Sequence, residues 1–183
     1  MSERTVLDVK LDRSFDLLDT DGDGRIRASD LTVLASRLSA AFAATRPETV
    51  ARLERAFTVL WTRDVRRMGT GGGDAVDREE WRRGVRRAVA EDRDGFLGRM
   101  GAMLQEWLDL CDADSDGGIG RTKFLTMYGR TLGLEPEQLH EAFTTLDIDG
   151  DGRLSREDIR GAVAEYYTSD ATDTPGNWLF GPL

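Results

Sequence analysis

Apolar residues recur every three or four positions along most of the chain, a spacing that predicts amphipathic helices rather than strands. The pattern is interrupted by four short segments rich in Asp or Gly, each with such helices on both sides. The same apolar positions precede, interrupt and follow every segment, as expected for an internal repeat. The four copies of this repeat have loops that begin at Asp19, Gly69, Asp112 and Asp147. We therefore predict four helix–loop–helix units arranged in two pairs.

Each loop carries a branched apolar residue at its eighth position, namely Ile26, Val76, Ile119 and Leu154. Such residues can pair with their counterparts in a neighbouring loop through a short antiparallel contact. We predict that Ile26 pairs with Val76 and that Ile119 pairs with Leu154. The resulting fold is expected to be all-α, compact and two-lobed.

The chain is expected to divide into an N-terminal pair of units, residues 1–93, and a C-terminal pair with a tail, residues 94–183. Segment 168–177 is polar and rich in helix breakers, so we predict a loop there. It leads to the apolar triplet Trp178-Leu179-Phe180, which we expect to pack across the helices and hold them closed.

Acidic side chains are concentrated in three of the four loops, those numbered 1, 3 and 4. Each of these has Asp at positions 1, 3 and 5 and Gly at position 6. Acids at every second position repel one another unless a cation lies between them. Ca²⁺ takes about six to eight oxygen ligands, which a twelve-residue loop supplies from positions 1, 3, 5, 7 and 12. Helices flanking a loop of this kind define an EF-hand.

Loops 1 and 4 hold a complete set of ligand positions. In loop 1 these are Asp19, Asp21, Asp23, the carbonyl of Arg25, and Asp30. In loop 4 they are Asp147, Asp149, Asp151, the carbonyl of Arg153, and Asp158. We rank loop 4 first, because position 9 is Ser155 there and Arg27 in loop 1, and an arginine cannot accept a hydrogen bond from a bridging water.

Both loops have Asp at position 12, where Glu is usual. The shorter side chain can hold an ion through one oxygen or, after a small shift of the following helix, through two. A shell of six oxygens also suits Mg²⁺. We therefore predict Ca²⁺ as the bound ion and Mg²⁺ as a possible competitor.

Loops 2 and 3 are incomplete. Loop 3 keeps four ligand positions, Asp112, Asp114, Asp116 and the carbonyl of Gly118. Its position 12 is Lys123, a cation that cannot bind Ca²⁺; waters could complete the shell at high Ca²⁺, so the occupancy of this loop stays open. Loop 2 has Gly at positions 1, 3 and 5. Its Asp77 and Glu80 have the spacing of a helix capping box, so we predict a structural role for loop 2 as the partner of loop 1.

This arrangement resembles the sarcoplasmic calcium-binding proteins, and most of all their bacterial calerythrin-like relatives. The resemblance spans almost the whole chain and includes a second hand without ligands and a C-terminal segment 175–181. It implies an all-helical protein that buffers or transduces cytosolic Ca²⁺. It also implies that the aspartates of loops 1 and 4 are the ligands, whereas Lys123 departs from the family pattern.

Composition narrows the possible functions. A formal charge of −9 argues against nucleic-acid binding. The longest apolar run has five residues, 40–44, and a membrane-spanning helix needs about 20. The first residues lack the apolar stretch of a signal peptide, so we expect no membrane insertion and a cytoplasmic location.

A single histidine, His140, argues against catalysis by a histidine-dependent triad. We expect a monomeric, non-enzymatic Ca²⁺ buffer or signal modulator.

Two other functions are compatible with the sequence. One is a calmodulin-like sensor that exposes an apolar groove in Ca²⁺ and binds a target protein. The other is an enzyme or small-ligand carrier whose helical tryptophans, Trp61, Trp81 and Trp107, line a cavity, although a packed core is the commoner use. Four arginines form a stripe along one predicted helix, namely Arg82, Arg83, Arg86 and Arg87. This arginine stripe could bind an acidic partner or a membrane surface, but such a stripe is more often a solvated face.

Overall fold

A computed structural model describes residues 4–40, 47–71, 73–110 and 118–183. Its α-helices within these ranges are α1 (Val6–Leu18), α2 (Ala28–Ala40), α3 (Pro47–Arg63), α4 (Arg78–Asp109), α5 (Arg121–Leu132), α6 (Pro136–Leu146) and α7 (Arg156–Thr168). Its strands are β1 (Arg25–Ile26), β2 (Val76–Asp77), β3 (Ile119–Gly120) and β4 (Arg153–Leu154). Two 3₁₀ turns cover Val65–Met68 and Pro175–Trp178. The predicted all-α, two-lobed fold is confirmed.

The short strands join the loops in pairs. Strands β1 and β2 are antiparallel, with Ile26 opposite Val76. Strands β3 and β4 are also antiparallel, with Ile119 opposite Leu154. All four of these side chains are buried, so each pairing carries an apolar contact from the loops into the core. Both predicted pairings are confirmed.

Several helix ends follow from local sequence signals. Pro47 opens α3 and Pro136 stands in the first turn of α6, where proline has the right φ and no amide hydrogen is needed. Gly133 ends α5 with a φ of 65°, a left-handed conformation that other residues rarely adopt. Thr5 begins α1 with a reciprocal capping box to Asp8.

Helix α4 leaves loop 2 and runs to the start of loop 3, and its main packing partners are α3 and α7. Asp92 interrupts it with a non-helical φ of −149° and ψ of 65°. The Asp92 carboxylate accepts a hydrogen bond of 3.1 Å from the Gly95 amide, as a cap on the second half of the helix would. The division of the chain between residues 93 and 94 stays a prediction.

The core is continuous through both lobes, and aromatic rings form its centre in the C-terminal half. Tyr128 stacks on Trp107 and on Phe124, with ring centroids 5.2 and 4.1 Å apart respectively. Phe124 in turn meets Phe143 edge to face. The three helical tryptophans, Trp61, Trp81 and Trp107, are all buried.

The predicted loop over 168–177 is wrong at both ends. Thr168 still belongs to α7, and Pro175 starts the 3₁₀ turn that ends at Trp178. This turn is held by contacts that its polar composition does not reveal: buried Asn177 accepts a hydrogen bond of 3.0 Å from the Nζ of buried Lys10. The tail that follows packs into the core, with Leu179 and Phe180 buried.

The arginine stripe is only partly a solvated face. Arg82 donates a hydrogen bond of 2.6 Å to buried Asp12, and Arg86 donates one of 2.9 Å to Asp8, so both residues tie α4 to α1. Burial alone would raise the pKa of Asp12, but the Arg82 guanidinium lowers it below its ordinary value. No α-helix in the described ranges has the length and apolar character needed to cross a bilayer.

Candidate functional site

Loop 1 folds its first three acids around one point. The carboxylate oxygens of Asp19, Asp21 and Asp23 lie within 4.8 Å of one another. Asp19 accepts a hydrogen bond of 2.9 Å from the Gly24 amide, and Asp23 accepts one of 2.9 Å from the Arg25 amide. Gly24 has a φ of 82°, which the sharp turn requires. The Gly22 amide donates to the other oxygen of Asp19 at 3.1 Å, and the Asp23 amide donates to Asp21 at 3.1 Å, so backbone amides hold all three carboxylates in the loop.

Arg27 and Thr20 engage the remaining acids of loop 1. Asp30 is buried; its Oδ2 accepts from the Arg27 amide at 2.7 Å, and its Oδ1 accepts from the Thr20 hydroxyl at 2.9 Å. The Arg27 guanidinium also pairs with Asp23. A cation entering loop 1 must therefore compete with Arg27 and with the Thr20 hydroxyl for two of its carboxylates. From the sequence alone, we predicted only that Arg27 could not accept a hydrogen bond from a bridging water.

Loop 4 has the same frame with fewer competing donors. The carboxylate oxygens of Asp147, Asp149 and Asp151 lie within 4.8 Å of one another. Asp147 Oδ2 accepts from the Gly152 amide at 3.0 Å. Asp147 Oδ1 is buried and has no hydrogen-bond partner among the residues that the structure describes. A buried carboxylate oxygen without a donor is costly, and a divalent cation would satisfy it.

Asp158, at the predicted last ligand position of loop 4, accepts hydrogen bonds from Ser155 through only one of its two carboxylate oxygens. Asp158 Oδ2 accepts from the backbone amide of Ser155 at 2.8 Å and from its hydroxyl at 2.6 Å, which completes a capping box on α7. Both of these bonds go to Oδ2, so Oδ1 is the oxygen of Asp158 that a cation could take without competing with Ser155. The residues at position 7, Arg25 and Arg153, begin β1 and β4.

The described residues include only the end of loop 3, from Gly118 onward. Its three acids, Asp112, Asp114 and Asp116, lie outside the described residues, as does Cys111. The carbonyl of Gly118, which a metal in this loop would need, accepts a hydrogen bond of 3.0 Å from the Arg153 side chain of loop 4. Sequence inspection missed this link, because no local pattern signals which loop the Arg153 side chain reaches.

Loop 2 uses its two remaining acids structurally. Asp77 and Glu80 form the predicted capping box at the start of α4. Glu80 also accepts from the hydroxyl and the amide of Thr70, at 2.5 and 2.7 Å. The Thr70 hydroxyl, the Asp77 amide and the Thr70 amide lower the pKa of Glu80 to about 2. In both N-terminal loops the threonine at position 2 thus donates a hydrogen bond to the acid at position 12, Thr20 to Asp30 and Thr70 to Glu80. Both threonines are present in the sequence, but the alignment of the four repeats did not include position 2.

Replacing Glu80 with glutamine should lower the free energy of unfolding at neutral pH by about 1–2 kcal/mol, because hydrogen bonds to a charged acceptor become neutral ones. The folded pKa lies below the ordinary value of 4.5, so the stabilisation is complete above that pH and is lost as the pH falls toward 2. Urea unfolding across this range should show a shallower acid dependence in Glu80→Gln than in the native chain. Glu79→Gln, which changes the charge of an exposed neighbour, is the control, and an equal effect there would contradict the assignment.

Comparison with known proteins agrees with this geometry. The EF-hand domain pair family matches residues 115–166, and the EF hand family matches residues 11–34. Calerythrin from Saccharopolyspora erythraea is 26% identical over 160 residues, which cover 86% of this chain and 90% of calerythrin.

Solved structures show the same fold. A Streptomyces coelicolor calcium-binding protein, described in connection with prokaryotic calcium-mediated regulation, superimposes with a TM-score of 0.74 at 26% identity over 90% of this chain and 99% of its own. Calcium-loaded apo-aequorin from Aequorea victoria gives 0.73 at 21% identity, over 91% of this chain and 93% of its own. The chain thus resembles calerythrin-like EF-hand proteins in both sequence and fold.

Proposed function

We propose that this protein binds Ca²⁺ at loops 1 and 4 and acts as a cytoplasmic Ca²⁺ buffer or signal modulator, as a monomer and without catalytic activity. The ligands in this proposal are the acids and position-7 carbonyls of the two loops. They are Asp19, Asp21, Asp23, Arg25, Asp30, Asp147, Asp149, Asp151, Arg153 and Asp158. Residues 1–93 and 94–183 serve as the two EF-hand pairs, the second with its tail.

The buried Oδ1 of Asp147, which has no hydrogen-bond partner among the described residues, lies beside the carboxylates of Asp149 and Asp151 and carries the proposal. Three carboxylates within 4.8 Å repel one another strongly, and a hard divalent cation removes that repulsion. Two bound Ca²⁺ ions would change the formal charge from −9 to −5, so occupancy should also stabilise the fold.

Two further features support a buffer over a sensor or an enzyme. The large apolar side chains that stand exposed in the described ranges are scattered, and they are Val33, Val59, Ile148 and Leu183. The single histidine, His140, is exposed on α6. A buffer needs neither an apolar docking groove nor a catalytic base, and the Streptomyces coelicolor relative is itself described as a calcium-binding protein in calcium-mediated regulation.

Calorimetric titration with Ca²⁺ tests the proposal. We expect two ions per chain, with loop 4 the tighter site, since Arg27 and Thr20 compete for the carboxylates of loop 1. Millimolar Mg²⁺ should weaken the apparent Ca²⁺ affinity, because a single oxygen from each position-12 aspartate suits a six-oxygen shell.

The outcome that overturns the proposal is the absence of both titration heat and Ca²⁺ retained in equilibrium dialysis. A dye that reports exposed apolar surface should brighten little on Ca²⁺ addition, whereas a large Ca²⁺-dependent rise would assign the protein to the sensor class instead.

A further inference from the structure

The arginines around loop 2 form a positive region on an otherwise acidic chain. Residues 55–90 hold nine arginines against five acids, a formal charge of +4, whereas the whole chain has −9. Loop 2 has Gly at positions 1, 3 and 5, so this positive charge belongs to the hand without metal ligands. Some of these arginines stabilise the fold, and the others are available for a different role.

Two neighbouring faces of α4 use their arginines differently. Arg82 and Arg86 pair with carboxylates of α1. Arg83 and Arg87 lie one position further round the helix, about 100° away, and both are exposed. Arg83 pairs with Glu79 of its own helix at 2.9 Å. An ion pair between two exposed side chains adds little stability, so the fold does not account for the arginines on this face.

The segment before loop 2 brings more arginines to the same place. Arg63 ends α3, and Arg66 and Arg67 lie on the 3₁₀ turn that follows it. The Arg87 guanidinium donates a 3.0 Å hydrogen bond to the carbonyl of Arg67, so the turn and α4 present their arginines side by side. All of these arginines are exposed. We call Arg63, Arg66, Arg67, Arg83 and Arg87 the basic patch.

Most of the basic patch has no acidic partner. Arg66 pairs with exposed Asp74 at 2.8 Å. Arg63, Arg67 and Arg87 form no ion pair with any carboxylate in the part of the chain that the structure describes. Like charges that lie side by side repel one another, and an anionic group between them removes that repulsion. Because the fold gains little from these charges, they are available to an anionic group of another molecule.

We propose that the basic patch binds an acidic segment of another protein, in an extended conformation with carboxylates on alternate residues. Arg83 and Arg87 are one helical turn apart, about 6 Å along α4. Alternate side chains of an extended chain lie on one side of it, about 6.6–6.8 Å apart. A guanidinium can hold each carboxylate through two parallel hydrogen bonds.

The surroundings of the basic patch favour a peptide over a broad anionic surface. Asp74 and Glu79 are exposed at the edge of the patch, where a bilayer or a nucleic-acid backbone would meet these acids together with the arginines. Proteins that bind at a bilayer surface also bury large apolar side chains in it. The exposed large apolar residues of the described ranges lie neither on the 3₁₀ turn nor on α4. A narrow peptide can contact the arginines without covering the two acids.

The basic patch does not require Ca²⁺ at loops 1 and 4, because α3, the 3₁₀ turn and α4 of the hand without ligands supply its arginines. Two bound ions would reduce the repulsion between an acidic peptide and the rest of the chain. Only that increase in affinity rests on the proposed function. A chain that failed to bind Ca²⁺ would still be expected to bind the peptide.

The test titrates the full chain in Ca²⁺ buffer into a fluorescein-labelled peptide of alternating Glu and Ser, with binding read by fluorescence anisotropy. At an ionic strength of about 0.05 M we expect saturable binding that weakens as salt is added, because the charges are exposed. Arg63→Gln combined with Arg67→Gln removes two exposed arginines without breaking an ion pair of the described chain. This double variant should weaken peptide binding about five- to thirtyfold.

The matched control changes the same charge in the other lobe. Arg156→Gln combined with Arg160→Gln removes two exposed arginines of α7 and should leave the affinity within about twofold of the native value. A labelled peptide of alternating Gln and Ser, which has the same length and no carboxylates, should not bind.

Three results would overturn the proposal. The first is no saturable binding of the Glu-Ser peptide, and the second is equal weakening in the two double variants. The third is tighter binding to phosphatidylserine vesicles or to duplex DNA than to the peptide, lost in Arg63→Gln combined with Arg67→Gln, which would assign the basic patch to a broad anionic surface.

Discussion

Replacing Asp147 with alanine is expected to remove one of two bound Ca²⁺ ions and most of the stabilisation that Ca²⁺ gives the C-terminal lobe. Asp147 starts loop 4 and contributes a buried oxygen that has no donor within the described ranges. Its other oxygen accepts a hydrogen bond from the Gly152 amide in the turn. A ligand present at roughly 100 to 1,000 times its Kd stabilises the folded state by about 3–4 kcal/mol. The variant should therefore lose about 3–4 kcal/mol of the Ca²⁺-dependent gain in unfolding free energy and keep only the part that comes from the ion at loop 1.

The comparison needs a variant with the same charge change elsewhere. Asp173→Ala removes an exposed aspartate from the segment between α7 and the last 3₁₀ turn, and should keep both ions and the full Ca²⁺ response. Without Ca²⁺, Asp147→Ala should be about as stable as the native chain, because the relief of repulsion with Asp149 and Asp151 offsets the lost hydrogen bond from the Gly152 amide. If Asp147→Ala retained two ions by calorimetry, the assignment of loop 4 as a ligand set would be wrong.

Asp112→Ala addresses loop 3 in the same assay. Lys123 occupies position 12 of that loop, and the Gly118 carbonyl is already bonded to Arg153. We therefore expect unchanged stoichiometry in Asp112→Ala, and the loss of one ion would show that loop 3 is filled in the native chain.

Local signals predicted much of the fold. The pairing of Ile26 with Val76 follows from one apolar residue at a fixed loop position. The ends of helices at Pro47 and Gly133 follow from single residues whose backbone preferences hold in any context. Family resemblance and fold class, which rest on such short-range patterns repeated four times, are confirmed.

Contacts between segments far apart in the chain could not be predicted from the sequence. Lys10 and Asn177 are 167 positions apart, and only the folded chain shows that they bond beneath the tail. The same holds for the Arg153 side chain on Gly118 and for the Arg87 side chain on the Arg67 carbonyl, since both depend on how separate segments pack. The ligand positions in loops 1 and 4 stay a prediction that the variants described above test.

Removing the tail from residue 175 onward is expected to destabilise the protein by about 4–8 kcal/mol, because it uncovers the sites of two buried side chains, Leu179 and Phe180. It also deprives the Tyr128 hydroxyl of the Leu179 carbonyl and leaves Lys10 without Asn177. Urea unfolding in Ca²⁺ measures the loss, and binding of an apolar dye reports the surface that truncation uncovers.

The substitution Gly176→Ala tests the effect of displacing the tail without shortening the chain. Gly176 lies so close to α7 that an added Cβ would come within 2.5 Å of the Glu165 Cβ and 2.7 Å of the Ala162 carbonyl oxygen. Gly176→Ala should therefore lift the tail and reproduce part of the destabilisation with the chain length unchanged.

Deleting Leu183 alone, whose side chain is half-exposed, should have little effect. Because the tail packs on α6 and α7 and its Asn177 accepts a hydrogen bond from Lys10 of α1, its loss should loosen the contact between the lobes before it disturbs the metal loops. Native stability in both the truncated chain and Gly176→Ala would show that the tail does not hold the helices together.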